Sequence, residues 1–183
     1  MPRFIAFLRA INVGGRNVKM DRLRALWAEL NFDGVETFIA SGNIIFVAQS
    51  ANVVALKKRI EAHLAKSLGY EVHTFLRTDA ELAAVARHQP FSPAQLKNAR
   101  AVYIAFLEAP LSAAHQKTLA GFRTEIDEFH FNKREVYWLC RKSQSESKFS
   151  NAVFERALKL RATFRGVKTV VKLAAKYRPM EIG

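Results

Sequence analysis

The residues best equipped for chemistry stand near the start of the chain, where Arg9, Asn12, Gly14, Gly15 and Arg16 follow an apolar run in the segment FIAFLRAINVGGRNVKM at residues 4–20. A glycine pair lets the backbone adopt positive φ or approach a ligand closely, and guanidinium forks match phosphate or carboxylate. The chemistry indicated is anion binding. The same residues also suit a plain strand-to-helix turn with solvated arginines. No glycine recurs between Gly15 and Gly34 and no GK[ST] follows, so neither a dinucleotide fingerprint nor a Walker loop is present and no cofactor is expected.

Further donors and cations extend this candidate anion site: Ser41 and Asn43 around a glycine turn, and Ser147, Lys148, Thr163 and Arg165 late in the chain. The set would suit a phosphate or carboxylate group. It lacks a general base, so catalysis would need a ligand that supplies the chemistry or a lowered pKa at Lys148, and whether the protein is an enzyme stays open. A second cationic pattern lies in the last predicted helix, where Lys168, Lys172 and Lys176 recur at i, i+4 and i+8. Val167, Val170, Val171, Ala174 and Tyr177 take its other face. Like charges four apart cost about 0.2–0.5 kcal/mol per pair, which an anionic partner would offset; a solvated lysine face is the plainer alternative.

Other reactive residue types give no site. The five histidines, His63, His73, His88, His115 and His130, lack HxxxH or HExxH spacing, so no metal is expected. Cys140 sits in an apolar run and reads as core, as do Trp27 and Trp138. Asp127 and Glu128 would point to opposite faces of a strand, which argues against a carboxylate pair.

The elements that must position these residues follow from periodicity. Residues 4–8 are apolar on both parities, which predicts a central strand covered on both faces. Met20, Leu23, Leu26, Trp27 and Leu30 mark an amphipathic helix. Residues 35–40 and 43–48 predict a hairpin around Ser41-Gly42. Ser50 is a candidate cap for a helix carrying Val53, Leu56, Ile60, Leu64 and Leu68 and ended by Gly69, and residues 71–77 predict a strand. That is the β-α-β-β-α-β order of a ferredoxin-like half. A capping box at Thr78 and Glu81 starts a short helix, and Pro90 and Pro93 mark a linker. Beyond it come an apolar strand at 101–107, a Ser112-capped helix, and strands at 126–131 and 135–140. Two helices at about 148–161 and 166–177 follow, with no final strand expected. The organisation repeats without obvious sequence identity. The expected fold is α+β, two related ferredoxin-like (β-α-β-β-α) halves packed together with C-terminal helices: residues 1–87, a linker at 88–98, and 99–183 ending in two basic helices.

Composition bounds the partners. Half of the 183 residues are hydrophobic, which excludes global disorder, and one cysteine allows no intramolecular disulfide. No run approaches a membrane span and no leader precedes the first strand, so a soluble cytoplasmic protein is expected, without a membrane partner. The net charge of +13 is concentrated at the two ends. Residues 1–24 carry six Lys/Arg against Asp21, and residues 141–178 carry eleven against Glu146 and Glu155, while residues 25–140 balance. Such ends suit a polyanion.

LRAINVGG at residues 8–15 resembles the LRGINVGG signature of a bacterial family, domain of unknown function 1697, with Ala10 in place of a glycine. Val18-Lys19-Met20, Ser41-Gly42-Asn43, Pro90-Phe91 and Ser147-Lys148 are similar as well. The segment at 162–170 resembles the family's TTRNWNTV, with Gly166, Val167 and Lys168 replacing Asn-Trp-Asn. The resemblance implies the duplicated ferredoxin-like fold and brings no activity with it. Two functional readings stand. One is contact with a polyanion, foremost nucleic-acid phosphates, through Lys168, Lys172 and Lys176; the other is a small phosphorylated or carboxylate ligand at the Asn12–Gly15 loop. An RNA-recognition sheet is disfavoured because Asn43-Ile44-Ile45-Phe46-Val47 lacks the required aromatic-basic pattern.

Overall fold

The computed structural model describes residues 1–39 and 42–179. The first strand, β1 (Arg3–Leu8), is the hub of its sheet because every side chain from Phe4 to Leu8 is buried. It is followed by α1 (Met20–Ala28), β2 (Asp33–Thr37), β3 (Asn43–Val47), α2 (Val53–Leu68) and β4 (Thr74–Thr78). The sheet order is β2-β3-β1-β4 with all pairs antiparallel, the ferredoxin-like arrangement. The helices cover one face. Phe4, Ala6, Leu8, Ile44 and Phe46 meet Leu23, Leu26, Trp27, Ile60 and Leu64 there. On the opposite parity Ile5 and Phe7 are also fully buried, as a strand apolar on both faces requires.

The chain continues through α3 (Asp79–Arg87) and α4 (Pro93–Lys97) into β5 (Ala101–Phe106), α5 (Ala113–Ala120), β6 (Asp127–Asn132), β7 (Glu135–Cys140), α6 (Asn151–Leu158), β8 (Thr163–Gly166) and α7 (Val167–Lys176). The second sheet runs β6-β7-β5-β8, again wholly antiparallel, so the same order recurs. Its helical face is aromatic: Trp138 lies 4.9 Å from both Tyr103 and Phe149 between ring centroids. Cys140 is fully buried beside it, and burial raises its thiol pKa, as suits a core residue. By contacts the chain divides into Met1–Ala84 with Leu173 onward, and Val85–Lys172, so the last turn of α7 is counted with the first unit.

Three expectations need correction. A final strand does exist: β8 was hidden because Phe164 and Arg165 run straight into helical residues with only Gly166 between. The cap of α2 is Asn52, whose Oδ1 accepts from the Ala55 amide, while Ser50 Oγ accepts from the Asn52 amide. The two halves also share sequence: Ile5-Ala6-Phe7-Leu8 is repeated as Ile104-Ala105-Phe106-Leu107, and both stretches occupy the central strand. Other caps agree, including the Thr78–Glu81 box, Ser112 on α5, and Gly69 ending α2 in the left-handed region at φ 79°.

The β2–β3 turn is tied to the end of β1. Leu8 donates its amide to the Gly42 carbonyl at 2.9 Å, and Gly42 has φ 72°. A β-carbon at Gly42 would fall 2.9 Å from Ile11 Cγ2 and 3.1 Å from Leu8 Cβ. Gly42→Ala is therefore expected to cost about 1–3 kcal/mol in urea unfolding, through a strained φ and a clash with core atoms together. Gly69→Ala, strained in φ but meeting no atom within 4 Å, should cost less.

Candidate functional site: the glycine loop and the basic helix

The loop at residues 9–19 leaves the end of β1 and is held at both shoulders. The Arg9 amide donates to the His73 carbonyl at 2.9 Å, and Asn12 Oδ1 accepts from the Val18 amide at 2.8 Å. Ile11 and Val18 are buried and anchor it. Asn12 is thus a loop-closing residue whose carbonyl oxygen is already engaged. Between these anchors residues 12–17 are exposed. Gly14 and Gly15 are both left-handed, at φ 64° and 81°, and a β-carbon at either would have no neighbour within 4 Å. The guanidinium of Arg16 lies over the Tyr70 ring, 4.1 Å from its centroid, a cation–π contact that orients a charge at the loop's edge.

Several of the other predicted members are engaged in hydrogen bonds within their own unit. Ser41 lies outside the described residues. Asn43 is fully buried; its Nδ2 donates to the Phe38 carbonyl at 2.9 Å, and its own carbonyl accepts the Phe38 amide, so it closes the hairpin. In the second unit Ser147 donates to Asp127 Oδ2 at 2.8 Å and accepts from the Phe149 amide. Asp127 also accepts from Trp138 Nε1 at 2.8 Å, so this buried carboxylate, with Ser147, organises the helical face of the sheet. Thr163 and Arg165 are buried on the opposite face of β8, where Arg165 Nη1 donates to Thr163 Oγ1 at 2.7 Å and to the Phe164 carbonyl at 2.9 Å. The sheet lies between them and Ser147. Burial lowers the Arg165 pKa to about 10, which still leaves it charged at neutral pH. Lys148 is exposed.

The basic helix α7 follows β8 without a connecting loop, and Val170 and Leu173 are fully buried. Lys168, Lys172 and Lys176 are all exposed, as the spacing predicts. Val171, assigned to the apolar face, is 46 % exposed and belongs to the rim. The three lysines differ in engagement. Lys176 Nζ bonds Glu36 Oε2 at 2.9 Å, and Tyr177 donates to the same oxygen at 2.7 Å. The Lys176 bond, then that of Tyr177, holds the Glu36 carboxyl below its ordinary range, and hydrogen bonds to Tyr177 and Glu36 raise the Lys176 ammonium to about 12. Lys168 and Lys172 make no ion pair among the described residues, and α7 contains no carboxylate.

Metal chemistry gains no support among the described residues, where no group of three or more His, Cys, Asp or Glu side chains converges. Nor, among them, is any helix long and apolar enough to cross a membrane.

Residues 1–137 match the family model described as a protein of unknown function, DUF1697. The chain belongs to this family. Among solved structures, the conserved bacterial protein SP0830 from Streptococcus pneumoniae is similar over 97 % of this chain and 99 % of that one, with a TM-score of 0.73 and 22 % identity. That likeness concerns the fold. No curated protein matches.

Ala10 now has a physical meaning. It stands where the family signature resembled by this loop has glycine, and its φ is 54°, in the region a β-carbon disfavours. Ala10→Gly is expected to raise unfolding stability by up to about 1 kcal/mol, measured by urea denaturation, with the loop conformation retained.

Proposed function

We propose that this protein binds polyanions, nucleic-acid phosphates first among them, through the exposed lysines of α7. The observation that carries this reading is the pairing state of that helix: Lys168 and Lys172 project one turn apart from a carboxylate-free helix and have no ion-pair partner among the described residues. Phosphates spaced along a strand would satisfy both charges and release condensed counterions, a gain independent of base sequence. Lys176 contributes less, because Glu36 already neutralises it.

A second reading rests on the loop at residues 12–17. Two consecutive left-handed glycines with open space around them, beside an arginine held over Tyr70, offer backbone amides and a guanidinium to a small phosphate or carboxylate. Arg16→Ala would remove its cation while leaving the helix intact.

Fluorescence anisotropy of labelled single-stranded RNA and DNA, titrated over a range of salt, tests the first reading. Binding should weaken steeply with salt. Lys168→Gln with Lys172→Gln should flatten the slope of log K against log salt by about 1.4, the loss of two phosphate contacts to a single strand. An unchanged slope, or no binding at low salt, would refute it. Loss of binding in Arg16→Ala alone would instead assign the phosphate contact to the glycine loop.

A further inference from the structure

The two units build the same corner at the end of their central strand, and they finish it differently. In the first, α2 ends on the left-handed Gly69, and Glu61 of that helix accepts the Thr74 amide at 2.7 Å as β4 begins. In the second, α6 ends on the left-handed Lys159, φ 56°, and Glu155 accepts the Ala162 amide at 3.1 Å just before β8. By strand register Thr74 and Ala162 hold equivalent positions, next to Phe75 and Thr163 opposite the repeated Phe7 and Phe106. From that glutamate α2 continues past two turns to its cap and α6 past only one, so the second unit's passage into its last strand is the shorter.

In the first unit this corner is covered. The long loop at residues 9–19 lays Arg16 across Tyr70 and bonds Arg9 to His73. In the second, the strand-to-helix connection is cut to residues 107–112 and the connection into β8 to Leu160, Arg161 and Ala162. A groove of about 630 Å³ takes the space, within the size range of small-molecule sites. Its wall combines apolar surface from Leu107, Pro110 and Leu160 with Ser112, Lys159 and Arg161. His115 and Glu108 also line it, so two cations stand against one carboxylate. The Lys159 ammonium has no ion-pair partner among the described residues. The Ser112 hydroxyl accepts the His115 amide and donates to none of them.

We infer that this groove of the second unit is a binding site for a small organic anion, one carrying a phosphate or carboxylate on an apolar body. The anionic group would meet Lys159, Arg161 and the Ser112 hydroxyl, with the body along Leu160 and Pro110. This site is separate from the α7 lysines and needs none of them.

Amide NMR of the full chain, titrated with phenyl phosphate, benzoate and the neutral benzamide, tests it. Both anions, or one of them, should shift the amides of residues 112–115 and 159–161, and benzamide should not; which anion binds identifies the group recognised. Lys159→Asn removes the charge with a residue that tolerates positive φ, and should weaken that binding about tenfold while the rest of the spectrum is preserved. Lys168→Gln with Lys172→Gln should leave it unchanged, whatever becomes of polyanion binding. Equal shifts with benzamide, no shifts with either anion, or full-strength binding in Lys159→Asn would overturn the inference.

Discussion

The fold depends on a central strand whose repeated segment, Ile-Ala-Phe-Leu, offers no polar side chain to either face. Ile5 to Leu8 and Ile104 to Leu107 are buried throughout, and each strand is hydrogen-bonded on both sides, so neither can slip register or exchange faces without exposing its apolar residues. The exposed donors of the glycine loop and the groove accordingly stand beyond the strand ends. The glycine loop and the groove of the second unit follow the same end of equivalent strands.

Around that strand the duplication extends to particular hydrogen bonds. A helix glutamate accepts an amide at the start of the last strand in each unit, Glu61 to Thr74 and Glu155 to Ala162. A buried arginine donates to the carbonyl of its preceding residue in each last strand, Arg77 to Leu76 at 2.8 Å and Arg165 to Phe164 at 2.9 Å. Both arginines pair in register with the repeated isoleucine, Ile5 or Ile104. These positions satisfy backbone groups and set strand geometry, which constrains them more tightly than general hydrophobicity constrains the helix faces. The functional surfaces are where the two copies part company, in loop length and charge.

Much of this was legible in the residues themselves. Apolar parity gave the central strands, 3.6-residue periodicity gave the long helices, and the Thr78–Glu81 and Ser112 caps were visible as spacing. β8 was not, because it spans only four residues, puts polar Thr163 and Arg165 on a buried face, and runs through Gly166 straight into a helix. For the candidate site, residue type alone could not separate exposed donors from committed ones. Asn43, Ser147 and Thr163 are polar, yet their hydrogen bonds close a hairpin, a carboxylate network and an arginine contact. Lys176 resembles Lys168 in every sequence respect, and its engagement with Glu36 depends on a partner 140 positions away. The groove could have been anticipated from the repeated Ile-Ala-Phe-Leu, since aligning the copies exposes the shortened connections that follow.

The seating of α7 has a consequence for biosynthesis. The turn from Leu173 onward belongs with the first unit, where Tyr177 and Lys176 hold Glu36 of β2 and Arg3 Nη1 donates to the Arg178 carbonyl at 3.2 Å. During translation those residues emerge after the whole of the second unit has been made. Domains of most chains fold in the order they leave the ribosome, but here the β2 side of the first sheet lacks that cover until the second unit has been made. Release of a shortened chain would leave the earliest-made half unfinished.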